Sequence, residues 1–204
     1  DTRTMRTAVD LSRDGLNRSQ GVAATLEREV SRLEEQLAAA SAEMVTDHLT
    51  RTMNRRGLEE AFLGAQERTL ASGKPLTLAL IDVDDFKRLN DALGHKAGDD
   101  ALRHLADLLK NKLRPTDAVA RYGGEEFVLL LPGASAADAT STVGRLQREL
   151  TTHVFMHDAH RAFITFSAGI TEVSAGDSLG VAINRADEAM YRAKREGKNC
   201  VRSA

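Results

Sequence analysis

The period of the apolar positions changes along this chain. From Ala23 onward they fall at Leu26, Val30, Leu33, Leu37, Ala40 and Met44, three and four apart in alternation. That is the a/d seam of a coiled coil. Val9 and Leu16 carry the same phase weakly toward the N-terminus. The other faces are charged, so the segment reads as a helix that pairs with a second copy rather than one lying on its own domain. In a parallel pair, Glu29 at g would meet Glu34 at e of the partner, a like-charge contact that weakens the pair by about 0.2–0.5 kcal/mol. Residues 1–45 are therefore expected to form a dimerising stalk and residues 46–204 a globular domain.

Within the globular part, strands and helices alternate. A helix is expected over Asn54–Glu67 and an apolar strand over Leu76–Ile81. Helices follow over Asp85–Leu93 and Asp99–Leu113, then a β-hairpin over Ala118–Leu131 with a turn at Gly123-Gly124. Ser135-Ala136-Ala137-Asp138 has the form of a capping box opening a helix to about Leu150. Phe163–Val173 reads as a strand, and Leu179, Ala182, Ile183, Ala186, Ala189, Met190 and Ala193 mark the buried stripe of a last helix. Gly197 stands where a helix-closing glycine belongs, before a short strand over Asn199–Arg202. Helices packed on a mixed sheet in an α/β (α+β) sandwich are the expected fold.

Composition narrows the function. A formal net charge of −2 gives no basic field for nucleic acid or an anionic membrane, and 4% aromatics with no Trp supply no base-stacking platform. The single Cys, Cys200, excludes an internal disulfide and points to a reducing, cytoplasmic setting. No apolar run is long enough to span a bilayer. A chain that opens on Asp1 rather than Met leaves room for an upstream sensor or membrane-linked segment.

Candidate chemistry gathers at two places. The strand Leu76–Ile81 runs into Asp82-Val83-Asp84-Asp85, and the hairpin tip carries Glu125 and Glu126 beside bare glycine backbone. Two unit charges about 4 Å apart repel by roughly 1 kcal/mol in water and about 4 at an effective dielectric of 20. A divalent cation reverses the sign, and Glu and Asp oxygens suit Mg²⁺. Strand alternation puts Asp82 and Asp84 on one face, so spacing does not choose between them. Asn90, Asp91, His95 and Asp99 follow, and Asn and Asp are types that together can read a guanine edge. No Walker-type loop and no nucleophile elbow is present. His153, His157 and His160, at nearly helical spacing, are a further candidate group for a transition metal.

These segments together resemble the GGDEF family, the diguanylate cyclases, from about Val45 to Ser203. The resemblance is carried by Asp47-His48-Leu49-Thr50 with Asn54-Arg55-Arg56, by Asp82 to Asp91 in the form D-x-D-x-F-K-x-x-N-D, and by Gly94-His95 with Gly98-Asp99. It is completed by Arg121-Tyr122-Gly123-Gly124-Glu125-Glu126-Phe127 and by Ala186–Tyr191 with Ala193-Lys194, Gly197 and Asn199. It implies a palm-like nucleotidyl-cyclase fold and the condensation of two GTP into cyclic di-GMP. It also implies that Asp82, Glu125 and the Val83 carbonyl hold Mg²⁺ (or Mn²⁺), with Glu126 supporting the metals or taking the 3′-hydroxyl proton. The jobs of the two Glu residues stay undivided. Lys87 would steady phosphoryl charge, Gly123 and Gly124 would admit the triphosphate, and Lys194 and Lys198 would hold phosphates. Asn90 and Asp99 would read guanine, with His95 nearby. Arg114 and Asp117 match the family's R-x-x-D inhibitory motif and would bind the product. An active homodimer, paired through the N-terminal helix, is implied as well.

Three departures stand out. Arg51 and Thr52 replace the usual Gly and Leu, Asp85 stands where an apolar or aromatic residue is usual, and Lys198 replaces an Arg and so loses its bidentate fork. Two other readings compete with an active cyclase: a catalytically silent receptor for GTP or cyclic di-GMP, and a coiled-coil adaptor with a passenger domain. Intact Asp82, Lys87, Glu125 and Glu126 argue against the receptor, and the match of all five motifs argues against the adaptor.

Overall fold

The computed structural model describes residues 44–204 except Ala159, together with Glu29, Val30, Arg32, Leu33 and Gln36. Apart from those positions, the paired stalk expected over residues 1–45 lies outside the described residues.

The globular unit is built around strand β1 (Leu76–Val83), all of whose residues are buried. Its two faces feed two cores. Leu76, Leu78 and Leu80 pack on one side, and Ala79, Ile81 and Val83 on the other. That is the period-2 alternation of a strand covered on both faces. β1 pairs antiparallel with β3 (Glu126–Pro132) and with β6 (Phe166–Glu172). β2 (Ala118–Arg121) adds outside β3, and β7 (Val201–Ser203) pairs in parallel with β6. The sheet order is β2-β3-β1-β6-β7, so the sheet is mixed and mostly antiparallel. β4 (Phe155–His157) and β5 (His160–Ala162) form a separate two-stranded hairpin.

Helices α1 (Arg55–Ser72) and α5 (Leu179–Arg195) cover one face through Leu58, Phe62, Ala182, Ala186 and Met190. Helices α2 (Phe86–Leu93), α3 (His95–Lys112) and α4 (Ala136–Thr152) cover the other through Phe86, Leu102, Leu105, Leu109, Val143 and Leu146. The α/β sandwich with a central mixed sheet is thus the observed fold. α5 sits unusually close to β6. A Cβ on Gly169 would fall 1.8 Å from the Ala186 carbonyl oxygen and 2.4 Å from the Met190 nitrogen.

Element ends follow the local chemistry. Ser135 and Asp138 make both bonds of the capping box expected there. α1 runs past Glu67 to Ser72 and closes on Gly73 at φ 65°. At the end of α5, the Lys198 N–H reaches the Ala193 carbonyl at 3.2 Å across Gly197, the Schellman closure that Gly197 signalled. α3 begins at His95, not Asp99. Gly98 breaks nothing: it lies inside α3, where a Cβ would fall 2.0 Å from Asn90 Oδ1, so the glycine lets α2 and α3 approach. The strand expected from Phe163 starts at Phe166, and the β4–β5 hairpin lies in what precedes it. Strands of three residues are too short for alternation to declare them.

Candidate active site at the hairpin tip

The strand phases bring the acids together. Asp82 continues the face of Leu76, Leu78 and Leu80, and Glu126 continues that of Val128 and Leu130. The two stand directly across from each other in the β1–β3 register, on the side covered by α5. There Lys194 donates to Asp82 Oδ1 at 2.8 Å. Asp82 is only 6% exposed. Burial pushes its carboxyl above the usual range; Lys194 opposes this, while Asp84 and Asp187 add to it. Burial also raises Glu125 and Glu126, and the charge of Asp82 raises both further against Lys194. Among the described residues, no three His, Cys, Asp or Glu groups are already drawn to metal-binding distances of one another. The donor set nonetheless fits a hard divalent cation. It is all carboxylate and carbonyl oxygen, and its members are crowded enough to raise one another, with a lysine ammonium as counter-charge.

The hairpin tip is wider than a Gly-Gly turn. The N–H groups of Tyr122 and Gly123 both reach the Glu126 carbonyl, at 2.8 and 3.3 Å. Neither glycine has a positive φ. Gly123 serves close approach instead: a Cβ there would lie 2.3 Å from Glu126 Oε2. Arg121 holds the tip from outside, donating to the Gly124 carbonyl at 2.7 Å and facing Asp47 at 3.3 Å. Asp47 in turn accepts from the N–H and hydroxyl of Thr50, at 2.8 and 2.7 Å.

Geometry separates the acids that spacing left equivalent. Asp84 accepts from Ser167 Oγ at 2.7 Å, Thr165 Oγ1 at 2.9 Å and the Asn199 N–H at 2.9 Å. It brackets β6 to the segment before β7, whereas Asp82 faces the site. Asp85 occupies the N-cap position of α2 at φ 54° without a side-chain capping bond, and its Oδ1 receives Lys198 Nζ at 2.8 Å.

α2 and α3 carry the remaining predicted residues. Lys87 and His95 are exposed in the first turns of their helices, and Asp99, also exposed, lies one turn on from His95 on the same helix face. Asn90 is partly buried, and its Oδ1 is a buried acceptor without a partner among the described residues. Asp187 was not singled out from the sequence. Its distance of seven residues from Lys194, two helical turns, was the available signal.

Arg114 and Asp117 line a different cavity, of about 380 Å³, together with Lys112, Asp138, Ser141 and Arg145. Asp117 closes its own turn by accepting the Arg114 N–H at 3.0 Å. This cavity adjoins the start of β2, and the acids adjoin the far end of the hairpin. Lys112, Asp138 and Arg145 come from α3 and α4, and nothing in their spacing announced them. The His153, His157 and His160 group is not helical: His153 follows α4, while His157 and His160 are cross-strand partners in the β4–β5 hairpin. His157 Nδ1 is held by Asp100 at 2.9 Å.

The family model described as diguanylate cyclase, GGDEF domain, matches residues 44–200. Diguanylate cyclase DgcP of Pseudomonas aeruginosa is 40% identical over 169 residues, which are 83% of this chain and 25% of that protein. Diguanylate cyclase VdcA of Vibrio cholerae is 37% identical over 204 residues, 98% of this chain and 57% of that protein. The chain therefore spans from a quarter to just over half the length of these relatives. Among solved structures, the coiled coil and GGDEF domain of DgcB from Caulobacter crescentus in complex with c-di-GMP matches with a TM-score of 0.83 at 31% identity, covering 91% of this chain and 98% of that one.

Proposed function

The chain belongs to the diguanylate cyclase GGDEF-domain family, and from that premise we propose that it condenses two GTP into cyclic di-GMP with release of two pyrophosphates. The observation that carries the reading is the convergence of Asp82, Glu125 and Glu126 beside Lys194 at the glycine tip. Asp82, the Val83 carbonyl, Glu125 and Glu126 are the groups that would hold Mg²⁺ or Mn²⁺, which when bound polarises the α-phosphate and sharpens the attacking 3′-hydroxyl.

The chain's own residues supply the rest. In each half-reaction a 3′-oxygen–phosphorus bond forms, the bond to the pyrophosphate oxygen breaks, and the hydroxyl proton leaves. Glu125 or Glu126, the carboxylates that the hairpin tip brings beside Asp82, takes that proton. Gly123 and Gly124 admit the triphosphate to the main chain. Lys87, Lys194 and Lys198 compensate charge on phosphoryl oxygens. Guanine is read by Asn90 and Asp99 with His95 alongside.

One domain presents one GTP, so a second copy completes the reaction. Residues 1–45 are the proposed stalk and 46–204 the proposed cyclase domain. Val30, Leu33 and Met44 of the seam are 53%, 52% and 51% exposed in the single chain, as a pairing face requires. The cavity at Arg114 and Asp117 is the proposed product site, where Arg clamps phosphate or stacks on a base. No helix among the described residues is long and apolar enough to cross a membrane. A cytoplasmic catalytic domain under an upstream sensor or partner protein, with no role for nucleic acid, is the proposed setting.

The test is to mix the chain, stripped of nucleotide, with GTP and Mg²⁺ and to separate the products. Cyclic di-GMP and pyrophosphate in a one-to-two ratio, lost in Glu125→Ala, are expected. GTP binding without product under the same conditions would leave a receptor instead.

A further inference from the structure

We infer that Asp85 is an internal competitor for the phosphate-binding Lys198, so that the nucleotide must displace the Asp85 carboxylate to gain that lysine. The inference rests on the cyclase reading for the identity of the incoming anion. The geometry within the chain is independent of it.

The Lys198 Nζ to Asp85 Oδ1 distance is 2.8 Å, and the two side chains are 42% and 43% exposed. The contact bridges two elements far apart in sequence, the start of α2 and the segment after α5. Both backbones are fixed in the left-handed region, Asp85 at φ 54° and Lys198 at φ 63°. Each is tied down on its own account. The Leu89 N–H reaches the Asp85 carbonyl at 3.1 Å, and the Lys198 N–H reaches Ala193 at 3.2 Å. The next residue, Asn199, donates its N–H to Asp84 at 2.9 Å. The two backbones that carry the pair are thus fixed, and what opposes it is the ordering of the lysine side chain itself.

The plain structural explanation for Asp85 would be helix capping. It stands at the N-cap position of α2, yet its side chain makes no capping bond there. Its carboxylate is directed to Lys198, with Arg88 of the same helix at 4.0 Å. Partial exposure lets a dissolved anion reach the lysine. A triphosphate brings more charge and more oxygens than one carboxylate and displaces it, but each binding event carries the cost of breaking the pair. Asp85 therefore sets affinity for the nucleotide, with chemistry at the α-phosphate unaffected. It acts through Lys198 and is a positioning residue, not a catalytic one.

The size follows from exposure. Exposed ion pairs contribute little, so relief of the competition amounts to about two- to five-fold in affinity. Asp85→Asn removes the charge and keeps the shape, and Asn tolerates a left-handed backbone. The experiment uses the full chain with Mg²⁺ and an α,β-methylene analogue of GTP, whose affinity is measured by calorimetry. Steady-state constants on GTP are measured in parallel. Asp85→Asn is expected to tighten the analogue and lower KM by about two- to five-fold, with kcat changed by less than about two-fold. Lys198→Met is expected to weaken the analogue, and adding Asp85→Asn to it is expected to restore nothing. Unchanged affinity in Asp85→Asn would overturn the inference. So would equal tightening in the Lys198→Met background, because Asp85 would then act as a diffuse negative charge. An analogue that the unaltered chain does not bind overturns the cyclase reading itself and the inference with it.

Discussion

Both carboxylate oxygens of Asp84 are taken by donors from Thr165, Ser167 and the Asn199 main chain, while Asp82, two residues earlier, meets one lysine and a set of repelling acids. The two residues are expected to respond oppositely to removal. Asp84→Ala leaves three donors without their acceptor and is expected to lower stability by about 2–4 kcal/mol in urea denaturation. Asp82→Ala frees Lys194 but relieves repulsion on Glu125 and Glu126, so stability changes little while turnover vanishes. Equal loss of stability in the two variants would sink this division of labour. Sequence alternation placed both acids on one face and went no further, because partners drawn from β6 and from the residue after Lys198 have no local signature. Arg51 shows a similar limit. Its φ of 56° gives a physical reason for the glycine usual in the resembling family, yet nothing around Arg51 in sequence indicated a left-handed residue there.

At the scale of elements, the helix stripes were legible because they are long and periodic. The predicted stripe on α5 is the buried one, with Ala182, Ala186, Ala189 and Ala193 fully covered. Its small side chains go with a short distance to the sheet, and Gly169 is the other half of that fit. A lone glycine in a strand does not say from sequence which neighbour it admits. Gly98 is a similar case: the expected helix begins just after it, at Asp99, yet Gly98 lies inside α3 as a contact with α2. The β4–β5 hairpin was missed because three-residue strands hold too few positions to show a period. The α5–β6 contact bears on the proposed function, since α5 carries Lys194 and Asp187 to the acids. In Gly169→Ala the new methyl meets backbone atoms of Ala186 and Met190, which cannot move without moving the helix. Overpacking of about 1–3 kcal/mol is expected, or a fall in Tm of roughly 3–10 °C. Activity should fall further than stability explains when assayed well below the new Tm. Gly124→Ala, with open space around the position and no positive φ, should melt like the unaltered chain. A Gly169→Ala variant that keeps full activity would show that α5 does not need this seat.

For the molecule as a whole, the two candidate sites stand at opposite ends of the β2–β3 hairpin, and a chain of contacts leads from the residues after Met44 to its tip. Asp47 holds Arg121, and Arg121 holds the Gly124 carbonyl beside Glu125. The resemblance put the two groups of candidate residues forward separately. Their placement at opposite ends follows from the local β2–β3 pairing, whereas bringing Asp82 to the tip required the β1–β3 register, which joins residues far apart in the chain. On the proposed reading each domain presents one GTP, so turnover would require two domains to meet, and the proposed stalk would raise their effective concentration. Two controls on rate are therefore expected, and they should separate. Turnover per chain should fall on dilution as the pairs dissociate, and Leu33→Asp in the seam should move that fall to higher concentration. Added cyclic di-GMP should inhibit at any concentration, and Arg114→Ala should remove that inhibition without altering the dilution curve. Sedimentation over the same range checks the first arm. Per-chain turnover that stays constant while the protein becomes monomeric would overturn the stalk reading. Inhibition that persists in Arg114→Ala would remove the product from the cavity lined by Lys112, Arg114, Asp117 and Arg145 and place its action at the hairpin tip, in competition with GTP.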